Sequence, residues 1–181
     1  MLDTDNPKSS VLACKTKNAF FQEGGPGTGK STGFLYFLLQ SIKINHPEVF
    51  AKRKTITIVH VTKESAENLA IKLGLTPGVD VLCYGKEEFF SNICPKYTAI
   101  HAAEKSDDGI YITPEDSVVE DLNTGIVTYP DWEVRDDLEE DALSNITIFD
   151  ECTRMTAMES ALFDKYLERY NSIGLKTGDF H

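Results

Sequence analysis

The sequence predicts an α/β fold, a parallel β-sheet with helices on both faces, and three observations carry that expectation. Short apolar or β-branched runs alternate with segments of helical periodicity along most of the chain, a pattern that calls for crossover connections. A glycine-rich stretch, Gly24 to Ser31, joins the first clear strand to the first clear helix. A later apolar run, Ile146 to Phe149, ends in the acidic pair Asp150-Glu151.

In chain order, Met1 to Lys17 is polar around the brief apolar group Val11-Leu12-Ala13 and reads as an N-terminal leader or a short helix. Ala19 to Glu23 is a strand, and Ser31 to Ile44 is a helix whose wide apolar face carries Phe34, Leu35, Phe37, Leu38 and Ile42. Asn45-His46-Pro47 breaks it. Thr55 to Val61 alternates β-branched residues and makes the next strand. Lys63 to Leu73 places Ala66, Leu69, Ala70 and Leu73 at helical spacing, with Gly74 positioned to stop the helix.

Val79 to Cys83 is a third strand, and Lys86 to Ile93 a helix turning Phe89, Phe90 and Ile93 inward. Gly109 to Thr113 and Gly125 to Tyr129 are β-like runs that suggest a hairpin. Asp136 to Leu143 reads as a short helix, Ile146 to Phe149 as a buried strand, and Met158 to Tyr170 as a helix with Leu162, Phe163, Tyr166 and Leu167 inside. Ser172 to Lys176 begins one more strand.

With 181 residues, 41 % of them hydrophobic and 26 % charged, the chain suits one globular domain with a substantial core. No apolar run approaches a membrane span and the N-terminus lacks a signal pattern, so an intracellular setting, cytoplasm or nucleus, is expected and no membrane partner. Cys14, Cys83, Cys94 and Cys152 form no C-x-x-C pair, and the histidines complete no zinc spacing, so free thiols are expected. The formal net charge of −11 is concentrated between Glu104 and Asp141, where 14 acids face only Lys105 and Arg135. The rest of the chain is close to neutral. The acidity therefore leaves a nucleic-acid partner open while arguing against a broad basic footprint.

The glycine-rich stretch has the composition of a phosphate-binding loop. Glycines at 24, 27 and 29 let the backbone curl so that N–H groups converge on phosphate oxygens, and the following helix presents its positive end to the same anion. Gly25, Pro26, Gly27, Thr28, Gly29, Lys30, Ser31 and Thr32 are the candidate ATP-binding residues. Lys30 is placed to reach the β- and γ-phosphates and the Ser31 hydroxyl to ligate Mg²⁺.

The acidic pair supplies the complementary half. Asp150 at the strand end suits the Mg²⁺ that bridges the β- and γ-phosphates, and Glu151 suits the base that orients or deprotonates the attacking water. An acidic dipeptide also caps helices, which is the plainer alternative.

The order of the pieces is more specific than any one of them. Gly24-Gly-Pro-Gly-Thr-Gly-Lys-Ser31, Val61-Thr-Lys-Glu-Ser-Ala-Glu-Asn-Leu69, Thr98-Ala-Ile-His101, Phe149-Asp-Glu-Cys-Thr-Arg-Met155 and Thr177-Gly-Asp-Phe-His181 together resemble superfamily 1 helicases of the Pif1/RecD/Dda-like branch. The segments correspond to motifs I, Ia, the Thr-Ile-His segment, II and the start of III. The resemblance implies that residues 18–181 form a RecA-like ATPase domain, the first of two, that uses ATP and Mg²⁺ to move on single-stranded DNA or RNA. It further implies that Thr62, Thr98 and His101 contact the strand, although Thr62 also suits a helix N-cap and His101 a core position.

Gly109 to Tyr129, within the acidic segment 104–141, falls where the family carries an inserted hairpin. Its charge would repel phosphates, which favours a protein partner there. The chain reaches only the start of motif III, one position before the Gln the family uses there, and lacks the second RecA-like domain. Nucleotide binding stronger than turnover is therefore expected. An AAA+-like or RecA-like nucleotide-dependent switch or binding module, without helicase activity, is the competing reading. The Thr177-Gly178-Asp179 ending, in place of a sensor Asn, weighs against the AAA+ form.

Overall fold

A computed structural model of the protein describes residues 10–13, 19–23, 33–53, 55–97, 119–120, 123–125, 127–128 and 132–178, the strands at 10–13, 19–23, 119–120 and 127–128 through their backbone alone. Six strands make the main sheet: β1 (Ser10–Ala13), β2 (Ala19–Glu23), β3 (Ile56–His60), β4 (Val81–Gly85), β7 (Ile146–Phe149) and β8 (Ile173–Gly178). Their order is β1-β2-β8-β7-β3-β4. Every pair from β2 to β4 is parallel, and β1 lies antiparallel on the outer edge of β2. The helices are α1 (Leu35–Asn45), α2 (Lys63–Lys72), α3 (Lys86–Ile93) and α4 (Ala157–Arg169).

The strand period of two sorts the core onto the two faces. Ile56, Ile58, Val81, Cys83, Ile146, Ile148 and Leu175 join Leu35 and Leu39 of α1 and Ala66, Leu69 and Ala70 of α2 in one buried cluster. The opposite positions, Val59 and Phe149, join Phe89, Phe90 and Ile93 of α3 and Leu162, Phe163, Tyr166 and Leu167 of α4 in the other. Both faces of the parallel sheet are thus covered, as the alternating pattern requires. Among the described residues no helix is long and apolar enough to cross a membrane.

Local sequence accounts for the helix ends. The Thr62 hydroxyl accepts from Ser65 N at 3.1 Å and caps α2, and Gly74, at φ +74°, closes it. A full capping box starts α4, with Thr156 and Glu159 each accepting from the other's backbone N–H.

Three expectations need correction. Ser10–Ala13, read as leader or short helix, is an edge strand, because Val11-Leu12-Ala13 finds a pairing partner in the otherwise open side of β2. The third strand starts at Val81 rather than Val79. Gly78 takes φ +82° and the Asp80 carboxylate accepts from Thr76 N at 3.0 Å, so 76–80 is consumed by a turn that leaves Val79 exposed.

Within the acidic segment, β5 (Val119–Glu120) pairs antiparallel with β6 (Val127–Thr128), which lies inside the run Gly125 to Tyr129; the other run, 109–113, lies outside the described residues. Asp136 to Leu143 is not a helix beyond a single 3-10 turn at Glu140–Ala142. Trp132 and Val134 enter the core at alternate positions, and Arg135 N donates to Ile93 O at 2.9 Å, which holds the segment extended across α3.

Candidate functional site

The strand register brings the carboxyl ends of β2, β8, β7, β3 and β4 to one rim, the side of a parallel sheet where ligands bind. Glu23 is level with Gly178, Phe149 with Lys176, Val59 with Phe149, and His60 with Gly85. Asp150 therefore emerges between Thr177 and His60. Glu23, the last residue before the glycine-rich loop, stands one strand away from it.

Asp150 is only 5 % exposed and is held from three directions. Its Oδ1 accepts from Thr177 Oγ1 at 2.6 Å and from Glu151 N at 3.0 Å, and its Oδ2 lies 3.3 Å from His60 Nε2. Burial pushes the carboxyl upward, and the hydrogen bonds from His60, Thr177 and Glu151 N more than reverse this. The net effect holds Asp150 below its ordinary value of 3.8. The result is a buried carboxylate that stays ionised.

Glu151 adopts the left-handed conformation, φ 57° and ψ 44°, which costs a residue with a side chain about 1–2 kcal/mol. The strain is maintained by close packing on its far side. A Cβ on Gly178 would stand 3.3 Å from both the backbone N and the Sγ of Cys152, so a side chain there would make the turn Cys152–Arg154 give by a few tenths of an ångström. Burial there pushes the Cys152 thiol up to about 11. Strained backbone beside a buried carboxylate is characteristic of functional sites.

Of the sequence-predicted site residues, Asp150, Glu151 and Thr62 are described. Asp150 and Glu151 sit together on the rim, and Thr62, two residues beyond His60, caps α2 with its hydroxyl. The loop residues Gly25 to Thr32, including Lys30 and Ser31, and the strand-contact candidates Thr98 and His101 lie outside the described residues.

The donor set suits Mg²⁺. That ion is commonly held by one or two protein oxygens together with phosphate and water, and an ionised, oriented carboxylate at the rim is such a donor. Among the described residues no three His, Cys, Asp or Glu side chains group as a metal cluster, a demand that Mg²⁺ bound with a nucleotide does not make.

Three contributors were not legible as site residues. His60 closes an apolar run as its one imidazole, but only the register sets it beside Asp150. Thr177, next to last in β8, donates to the same carboxylate. Glu159, 3 % exposed, accepts from Lys86 Nζ at 3.2 Å and Tyr97 Oη at 2.9 Å, tying α4 to α3 and to the residue before Thr98. Comparison with protein-family models, with curated proteins and with solved structures finds no match to this chain.

Proposed function

We propose that this chain is the ATP-binding and ATP-hydrolysing motor domain of a superfamily 1 helicase, RecA-like in fold, that acts on single-stranded DNA or RNA. The observation that carries the reading is the juxtaposition on the rim: the strand leading into Gly24–Thr32 stands one strand from Asp150, and Thr177 of the intervening strand clamps that carboxylate.

In this reading the backbone N–H groups of Gly25 and of residues 27–32 receive the phosphates, and Lys30 donates to the β- and γ-phosphate oxygens. Ser31 and Asp150 would hold Mg²⁺, which when bound neutralises charge building on the phosphates. Glu151 orients the attacking water and takes its proton as the oxygen bonds to the γ-phosphorus and the bond to the leaving ADP breaks. Thr62, Thr98 and His101 contact the strand, and a second RecA-like domain completes the motor. The acidic segment 104–141, unsuited to phosphates, meets a protein partner instead.

The test is the rate of ATP hydrolysis by the chain and by Glu151→Gln, each alone and with single-stranded DNA or RNA. Slow hydrolysis that one nucleic acid accelerates, lost in Glu151→Gln with ATP affinity retained, is expected. Full turnover in Glu151→Gln removes the assignment of the base. Indifference to both nucleic acids turns the reading to a nucleotide-dependent switch.

A further inference from the structure

We infer that His60 is a positioning residue, one that fixes the Asp150 carboxylate in the orientation required to receive Mg²⁺; the inference rests on the nucleotide-site reading above. His60 ends β3, and its side chain is 17 % exposed. The backbone N–H of Val61 donates to its Nδ1 at 2.8 Å, so Nδ1 carries no proton and the ring hydrogen belongs to Nε2. Nε2 faces Asp150 Oδ2 at 3.3 Å and donates to it. The backbone of the strand exit thus chooses the tautomer that serves the carboxylate.

The other oxygen is held from the opposite side, by Thr177 Oγ1 at 2.6 Å. Donors from β3 and β8 therefore grip the carboxylate from the two strands that flank β7. Rotation of the carboxylate about its Cβ–Cγ bond breaks one or both of these bonds. The chemical nature of the donors matters as much as their geometry. Two uncharged groups orient Asp150 without neutralising it, whereas a lysine or arginine in the place of His60 would compete with a divalent cation for the same charge. Elsewhere on the sheet, polar side chains pair with one another, as Thr57 Oγ1 with Ser144 Oγ at 2.7 Å and Thr147 Oγ1 with Ser172 Oγ at 2.7 Å. At the rim alone, the described hydroxyl and imidazole converge on a carboxylate.

The experiment uses the full chain and reads equilibrium binding. The Mg²⁺ concentration that half-saturates binding of a fluorescent ATP analogue is measured for the wild type, His60→Ala and His60→Gln, together with analogue affinity in excess chelator. Loss of a hydrogen-bonding partner behind a metal ligand weakens metal affinity about 10- to 100-fold. His60→Ala is therefore expected to raise the Mg²⁺ midpoint at least about tenfold with chelator affinity unchanged. His60→Gln, whose amide N–H reaches toward the same oxygen, is expected to recover most of the difference.

In parallel, ¹⁵N spectra of the nucleotide-free wild type are expected to show His60 protonated at Nε2 and bare at Nδ1, a readout that needs no variant to fold. An unchanged Mg²⁺ midpoint in folded His60→Ala, or a proton on Nδ1, overturns the inference and leaves the nucleotide reading intact. A wild type with no Mg²⁺-dependent binding at all overturns the nucleotide reading, and this inference with it.

Discussion

Asp150→Asn tests whether the rim carboxylate is supported by the fold or merely tolerated by it. The substitution preserves shape and leaves one oxygen to accept from Thr177 and Glu151 N. The amide nitrogen then faces His60 Nε2 across the 3.3 Å formerly spanned by a hydrogen bond, donor against donor. Moving the ring proton to Nδ1 sets it against Val61 N–H, 2.8 Å away. Turning the amide over sets its nitrogen against Glu151 N–H, 3.0 Å away. Every arrangement leaves a donor without an acceptor, at about 1–3 kcal/mol.

Relief from burying a charge acts in the opposite direction. Burial is the largest single influence on Asp150, yet the combined hydrogen bonds still hold the carboxyl below its ordinary value, so the lost interactions outweigh the relief. The net expectation is a destabilisation of about 2 kcal/mol, equivalent to a fall in Tm of about 4–8 °C in a domain of this size. Urea unfolding followed by the fluorescence of Trp132, the single tryptophan and a buried one, measures it directly. In a His60→Ala background the same substitution should cost less, since the opposing donor is gone. An Asn variant as stable as the wild type, or more stable, would refute the reasoning; it is the outcome expected of a carboxylate kept for chemistry at the expense of the fold.

Three further expectations concern the same rim. Glu151→Gly relieves the left-handed backbone and should raise stability by about 0.5–1 kcal/mol in urea unfolding while abolishing hydrolysis; a loss of stability would show that the Glu151 side chain supports the turn. Because the folded state holds Asp150 below 3.8, its stabilising contribution is fully present above that pH and is lost as pH falls through it toward the folded value. The wild type should therefore lose stability more steeply than Asp150→Asn below about pH 4, and parallel acid titrations of the two would contradict this. Burial holds the Cys152 thiol near 11, so peptide mapping after iodoacetamide treatment at pH 8 should find it unmodified until urea unfolds the chain, and rapid labelling of the folded protein would oppose the described packing.

Much of the fold is legible because local pattern and tertiary demand agree. The β-branched run at β3, the 3.6-residue spacing of α2, the apolar faces of α3 and α4 and the buried run of β7 are each read from residues that the core then uses. Legibility fails where the deciding contact is distant. Val11-Leu12-Ala13 is too short to announce a strand and becomes one only against β2. The acidic run 136–141 has helical composition, but Trp132 and Val134 anchor it extended before helical propensity can act. Lys176 of β8 is 2 % exposed with its Nζ 3.0 Å from Asp164 Oδ1, a pairing set by the packing of α4 on the sheet. The site divides in the same way. Asp150 and Glu151 declare themselves by position after an apolar strand, whereas His60 and Thr177 acquire their roles from strand order and register, which the sequence does not spell out.

Calorimetric titration of ATP with Mg²⁺ into the wild type and Lys30→Ala addresses the proposed nucleotide site at the carboxyl rim most directly. One site per chain is expected in the wild type, with a loss of affinity of at least about tenfold when the Lys30 ammonium, a charged donor to phosphate, is removed. No binding by the folded wild type, or equal binding by both proteins, would contradict it.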